Sequence, residues 1–531
     1  PAALKAMGFK ALRSGQDRAV SNLLMGMDTI GILPTAQGKS AIYIIPAVCL
    51  NWRVLIFSPL IALMQDQVRK LQQRGFKAAS ISSGVSQMEK NMALQEWKSG
   101  ELQFLLVAPE RMQRTEFIDA MRAVRPNLVT VDEAHMVSEW ADSFRPWYAK
   151  IGPFIHDINP DVVLCLTATA TEEVVSDIRR VFEIPNAHTI VYLPPRENLH
   201  LSSRPYRSDN EIVDYLNSTD GAKIVYCLTR RRVETMYETL GRRLQGGALT
   251  YHGGMSPPDR ESCQNMFLQD EVSVMFATNA FGMGVDKPNI RSVVHRDIPG
   301  SLEAITQEIG RAGRDGKDSF CRMFAQPDDS YNTNRFLMEC SYPTQTAVRS
   351  VFAYLKHAAD KNGRVLMTAK DIASRAGMRD TEVSAAMGVL ASNHVINRDD
   401  DKSDIARVVV QNKAGTKGRQ RDLLEAIVKD GQRAGNGFDV SLGHMAELLG
   451  VKVGTVKSNL SMMGRDGLIV YTPPYYGKST TIHGDISMVD FERLSAKRAD
   501  RELKIDQAMN YTNVKDEAKA GFLASYFNAG Q

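Results

Sequence analysis

The chain has 531 residues, enough for three to five domains. Hydrophobic residues make up 43% and charged residues 24%, which excludes a disordered or fibrous chain and fits a globular protein with real cores. The net charge of +4 permits a nucleic-acid partner without demanding one, and the lack of any run of 18 apolar residues or of a signal peptide predicts a soluble, intracellular protein.

Arg13-Ser14-Gly15-Gln16 comes before the first apolar run. A Gln amide carries both a donor and an acceptor, so Gln16, next to Arg13, suits the edge of an adenine. The apolar run Thr29–Leu33 then enters Pro34-Thr35-Ala36-Gln37-Gly38-Lys39-Ser40, and a second apolar run follows. That layout predicts a buried strand, a small-residue turn holding Thr35 and Gly38, and a helix start. At such a turn backbone N–H groups face phosphates and the helix N-terminus adds positive potential. Lys39 reaches the β/γ oxygens, and Ser40 ligates Mg²⁺. Ala36 is expected at negative φ, since a left-handed Ala costs about 1–2 kcal/mol.

Further apolar runs lie at Val54–Ser58, Phe104–Ala108, Leu128–Asp132 and Val162–Thr167. Five more lie at Ala222–Leu228, Ala248–His252, Val272–Thr278, Arg291–Asp297 and Ser319–Phe324. Buried strands spaced by helical patterns mean parallel sheets. We read ten strands in two groups of five, with a seam near Pro194-Pro195-Arg196. The fold class is α/β, with two doubly wound domains at 1–196 and 197–345 and ligands at the carboxyl ends of the strands.

Asp132 and Glu133 end one of these strands. Asp132 is placed to hold Mg²⁺, and Glu133 to orient and deprotonate an attacking water. Soon after comes an aromatic-dense stretch, Trp140 to Tyr148, with Phe144 and Arg145 inside it. Bases of single-stranded nucleic acid stack on such rings for about 1–3 kcal/mol each. Phe281–Asp286 is a Gly-rich strand end that a ligand can approach closely. Gln307-Glu308-Ile309-Gly310-Arg311-Ala312-Gly313-Arg314 sets two arginines three apart among small residues. Guanidinium groups reaching a γ-phosphate from a neighbouring domain would act as arginine fingers. The six cysteines form no C-x-x-C pair, so neither a zinc cluster nor a disulfide framework is indicated.

Beyond 345 the pattern is helix-rich and repeats at an offset of 73 residues. Thr368 to Gly377, Val383, Leu390 and Ile396 align with Ser441 to Gly450, Val456, Met463 and Ile469. Each copy reads as a capped helix, a Gly turn, a second helix and two strands. We expect two winged-helix domains, at 346–412 and 418–486. Their wings would be hairpins over 394–410 and 468–482, the second with Tyr475 and Tyr476 at its tip to stack on an unpaired base. Whether such domains hold DNA or protein stays open. Residues 487–531 read as a C-terminal helical segment.

In this order, Arg13–Gln16, Leu33–Ser40, Ser58–Gln67, Ala108–Arg111, Asp132–His135, Thr167–Thr169, Phe281–Asp286 and Gln307–Gly316 resemble the successive motifs of the RecQ-family DNA helicases. The resemblance implies two tandem RecA-like domains and an ATP-dependent motor of superfamily 2 moving 3′ to 5′ on single-stranded DNA, in repair, recombination or replication. It also implies nucleic-acid contacts from Ser58 and Thr169, nucleotide contact from Asp286, a catalytic role for Gln307, and an aromatic loop that couples DNA binding to hydrolysis. Asp142 stands where that loop usually has His. Met509–Phe527 resembles the opening helix of the family's zinc module, with Ala518 where its first Cys belongs, so a zinc-free member is expected. ATP and Mg²⁺ are the expected cofactors and DNA the expected partner, with a single-strand-binding protein among candidate protein partners. An RNA helicase, a DNA translocase without unwinding, and a non-catalytic binding protein remain open alternatives.

Overall fold

In the computed structural model of the chain, the described residues are 4, 11–34, 38–59, 61–82, 84–139, 147–168, 170–192, 196–282, 287–402, 405–412, 416, 418–473 and 476–528. The chain divides into two compact units, Pro1–Met338 with Lys497–Gln531, and Glu339–Ala496. Among the described residues no helix is long and apolar enough to cross a membrane.

The first unit holds two parallel sheets. Strands β1 (Thr29–Ile32), β2 (Val54–Phe57), β3 (Ala78–Ile81), β4 (Phe104–Val107), β5 (Leu128–Val131), β6 (Val162–Thr167) and β7 (His188–Val191) run in the order β3-β4-β2-β5-β6-β1-β7. Strands β1, β2, β4, β5 and β6 are buried at every position. They are apolar throughout because helices cover both faces of the sheet. One face packs Phe57, Trp97 and Phe117, and the other Ile42, Tyr43 and Leu164.

The second sheet comprises β8 (Leu199–Pro205), β9 (Ala222–Tyr226), β10 (Ala248–Tyr251), β11 (Val274–Ala277), β12 (Ile290–His295) and β13 (Ser319–Ala325), in the order β10-β11-β9-β12-β13-β8. The ten expected strands are all present, but β3, β7 and β8 were not foreseen. All three are edge strands. An edge strand is partly solvated and tolerates polar residues, so its apolar run is often too weak to read, although that of the edge strand β10 was legible.

From Lys497 onward the C-terminal segment also belongs to this unit. The helix Phe491–Tyr511 is followed by the helix Lys519–Asn528. Ala508, Tyr511 and Leu523 join the core of the second sheet with Ile224 and Ile305. Asp516 accepts hydrogen bonds from the Ser203 backbone N–H at 3.1 Å and from Arg204 at 2.7 Å, closing the β8 edge. Lys519, completely buried, donates its ammonium to the Tyr511 carbonyl at 2.9 Å.

The second unit carries the internal repeat. Helices Ala369–Ala376 and Leu442–Leu448 start alike, with Thr368 and Ser441 side chains each accepting from a backbone N–H three residues on at 3.1 Å. Both are followed by a left-handed glycine, Gly377 at φ 66° and Gly450 at φ 60°, where a side chain would be strained. The second helices are Asp380–Ser392 and Val453–Arg465.

The strands depart from the expected hairpins. They are β14 (Arg364–Val365), β15 (Ile396–Lys402), β16 (Ile405–Val410), β17 (Gln432–Ala434), β18 (Gly437–Ser441), β19 (Ile469–Thr472) and β20 (Tyr476–Ile482). β15 pairs antiparallel with β20, Lys402 opposite Tyr476, while β16 pairs with β18 and β19. The second copy is therefore inserted between the two wing strands of the first. Core membership explains the exchange. Ile396 and Ile482 pack in one core with Ile372 and Leu390, whereas Ala406, Val408 and Ile469 pack in another with Leu424 and Leu460.

Candidate active site

The site is built at the carboxyl ends of β1, β5 and β6. β6 lies between β5 and β1, so the turn after β1 and the acidic pair after β5 sit two strands apart on the same sheet edge. Ladder hydrogen bonds extend past the strands and fix both. Leu33 N–H donates to the Thr167 carbonyl at 3.0 Å, Asp132 N–H to Phe57 at 2.9 Å and Ala134 N–H to Leu166 at 2.9 Å. Gly38, at φ 67°, leads into Lys39 and the helix Ser40–Leu50.

Lys39 Nζ is buried and has no hydrogen-bond partner among the described residues, and Glu133 Oε2, also buried and without a hydrogen bond, lies 3.4 Å from His135 Nδ1. Unpaired buried polar atoms are costly in a folded chain and mark places where a ligand completes the bonding. Burial and the neighbouring Glu133 carboxylate push Asp132 up to about 6, against the pull of Lys39. Burial alone would raise Glu133 too, but Lys39, His135 and Arg311 together hold it below its ordinary value. Two adjacent buried carboxylates facing one ammonium leave room for further positive charge. This donor set fits a nucleotide triphosphate with its Mg²⁺, Ser40 and Asp132 being the residues that would hold the ion.

Around this centre, His135 Nδ1 meets Thr167 Oγ1 at 2.9 Å, linking the acidic segment to the end of β6. Tyr148 donates its hydroxyl to the Asp132 carbonyl at 3.3 Å. Gln16, 4% exposed, donates its amide to the Gly38 carbonyl at 3.1 Å and accepts from Arg13 N–H at 2.9 Å. The Arg13 side chain is exposed nearby.

Arg311 and Arg314 follow the helix Leu302–Ile309 of the second sheet domain, with Gln307 half-buried on it. Arg311 is 4% exposed, donates to the Gly282 carbonyl, and its charge acts on Glu133 of the first sheet domain. Ser58 stands at the tip of β2 but is completely buried, so its hydroxyl is not on the surface. Thr35, Ala36, Trp140, Asp142, Phe144, Arg145, Thr169, Asp286 and Tyr475 lie outside the described residues, and Tyr476 is described only as part of β20.

Residues 13–178 match the DEAD/DEAH box helicase family and residues 208–316 the helicase conserved C-terminal domain. The chain is 34% identical over 380 residues to the probable ATP-dependent DNA helicase RecS of Bacillus subtilis, covering 71% of this chain and 75% of RecS. It is 40% identical over 338 residues to the ATP-dependent DNA helicase RecQ of the same organism, covering 63% and 57%. The chain belongs to the RecQ family of ATP-dependent DNA helicases. The match to the human ATP-dependent DNA helicase Q4, at 34% identity, covers 61% of this chain and 29% of that protein. The chain thus spans only part of several RecQ relatives. Solved structures share the fold: the DUF1998 helicase MrfA bound to DNA, with TM-score 0.52 and 20% identity over 63% of this chain and 52% of that one, and Dbp5 of S. cerevisiae bound to RNA and ADP BeF3, with TM-score 0.50 and 18% identity over 64% and 90%.

Three contacts near these residues carry no local signal in the sequence. Tyr148 was noted only as one of an aromatic set. Tyr226, at the end of β9, donates to the Phe281 carbonyl at 2.7 Å beside Arg311. Arg196, noted only as part of a seam, grips the turn that carries Arg311 and Arg314. Its partners are more than a hundred residues downstream, beyond the reach of any local pattern.

Proposed function

We propose that this RecQ-family chain moves 3′ to 5′ along single-stranded DNA and unwinds duplex, using Mg-ATP bound between Lys39, Ser40, Asp132 and the arginines of the second sheet domain. The observation that carries this reading is the buried Lys39 ammonium, without a hydrogen bond among the described residues, whose charge acts on the buried carboxylates of Asp132 and Glu133 at one sheet edge. Glu133 takes a proton from a water that attacks the γ-phosphorus. The bond to the bridging oxygen breaks and ADP departs. Lys39, Arg311 and Arg314 meet the charge that develops on the phosphoryl oxygens, which is how a positioned site speeds this transfer. Bound with ATP, Mg²⁺ supplies neutralising charge at the phosphates. Gln16 and Arg13 serve the adenine end, with Thr35, Gly38 and Asp286 completing the nucleotide contacts and Gln307 supporting the arginines. Trp140, Phe144, Arg145 and Thr169 serve single-stranded DNA, and Tyr475 with Tyr476 would stack at the duplex junction.

The test is ATP hydrolysis and strand separation on 3′-tailed DNA, 5′-tailed DNA and RNA. We expect DNA-stimulated hydrolysis and unwinding of the 3′-tailed substrate. Stimulation by RNA but not by DNA, or unwinding of the 5′-tailed substrate alone, would overturn the reading.

A further inference from the structure

The chain passes from the first sheet to the second between Val191, the end of β7, and Leu199, the start of β8. In that crossing stands Arg196. Its guanidinium donates to three carbonyls of one distant turn: Gly310 at 3.1 Å, Ala312 at 2.7 Å and Gly313 at 2.7 Å. Two residues on, Asn198 donates its side-chain amide to Gly313 at 2.9 Å and to Lys317 at 3.0 Å. The carbonyls of Gly310, Ala312 and Gly313 flank Arg311 and precede Arg314. The turn is tight as well as gripped. Gly313 has φ 56°, and a Cβ there would run into the Asn198 amide, the Ser319 hydroxyl and the Lys317 carbonyl.

A helix end leaves carbonyls without partners, and a guanidinium is a planar fork with five donors, so one Arg can bind several at once. Burial lowers the Arg196 pKa, yet the partners that hold its guanidinium here are three backbone carbonyls. Those bonds do nothing to neutralise its charge. They fix the shape of the turn.

We propose that Arg196, assisted by Asn198, is a positioning residue for ATP hydrolysis: from the crossing between the two sheets it sets the pose of the turn bearing Arg311 and Arg314. The proposal rests on the reading of those arginines as phosphate-facing.

The experiment compares wild type, Arg196→Lys and Asn198→Ala in DNA-stimulated ATP hydrolysis, binding of a non-hydrolysable ATP analogue, and thermal unfolding. Lysine keeps the charge but cannot bridge three carbonyls. Expected for Arg196→Lys is a kcat lower by roughly 10- to 100-fold, the scale of a small misplacement of a reacting group. KM for ATP and analogue affinity should stay within about twofold of wild type, the mark of an interaction that counts only in the transition state. Asn198→Ala should show the same split to a smaller degree. An unchanged kcat in both variants, or a kcat loss matched by equal losses of nucleotide affinity and melting temperature, would overturn the proposal. An inactive wild type would instead defeat the functional reading beneath it.

Discussion

Gln16 donates its side-chain amide to the carbonyl of Gly38, 3.1 Å away, and so ties the segment ahead of β1 to the phosphate turn. A Cβ added at Gly38 would lie 3.5 Å from that amide, an ordinary van der Waals distance, so it is the positive φ of 67° and not crowding by Gln16 that favours glycine there. Replacing Gln16 by Glu sets an acceptor against the carbonyl and takes away the amide proposed to serve the adenine. Losing such a bond with an acceptor left facing an acceptor costs about 1–3 kcal/mol, so the KM for ATP should rise about tenfold or more. An unchanged KM for Gln16→Glu would show that neither contact matters to nucleotide binding.

Glu133 and Lys39 predict separable defects. Glu133→Gln keeps the shape of the site and removes the base. Turnover should fall at least about 100-fold while analogue binding persists. Lys39→Ala should weaken binding and turnover together, because Lys39 is the ammonium nearest both carboxylates in electrostatic effect. Chelation of divalent ions should stop hydrolysis, and added Mg²⁺ should restore it. Steady-state kinetics with analogue titration checks all three; a Glu133→Gln enzyme with wild-type turnover would remove Glu133 from its role.

The exchanged strands make a prediction about excision. Lys402 and Tyr476 face each other across β15 and β20. Deleting 403–475 and joining them through Asn-Gly, the preferred two-residue hairpin connection, should leave the core of Ile372, Leu390 and Ile396 folded. Two tandem hairpin-winged domains would instead lose a wing strand from the first and everything but the last strand of the second. Circular dichroism and thermal melting decide it: loss of the cooperative transition of this unit would refute the insertion.

Asp516 predicts a pH effect. Burial would raise its pKa, but Arg204 and the Ser203 N–H outweigh that and hold it below the ordinary value. A carboxyl depressed in the folded state adds stability above its unfolded pKa of about 3.9, and that stability is lost as pH falls through the lower folded value. Asp516→Asn should therefore melt earlier than wild type at pH 7, by about 1 kcal/mol for a lost charged hydrogen bond. The gap should shrink below about pH 4. A gap that stays constant down to acid pH would assign the effect to shape instead of charge.

Most of the motor was legible because its chemistry is local. Gly38-Lys39-Ser40 and Asp132-Glu133 are short segments at strand ends, and the buried strands that carry them announce themselves as apolar runs. The edge strands β3, β7 and β8 lacked that signal because solvent on one side tolerates polar residues. The repeat of capped helix and glycine stop was equally plain, since Thr368, Ser441, Gly377 and Gly450 act on their own neighbours.

Pairing across distance was not legible. Four wing strands with similar patterns can pair in more than one way, and the choice fell to which core buries Ile396 and Ile482 and which buries Val408 and Ile469. The return of Tyr511 and Leu523 to the second sheet, and the grip of Arg196 on Gly310, Ala312 and Gly313, are likewise contacts between remote segments. Residue type and spacing specify what a segment becomes. Which segments meet follows from the burial of apolar area and the satisfaction of buried polar groups summed over the whole chain, and no single stretch contains that sum.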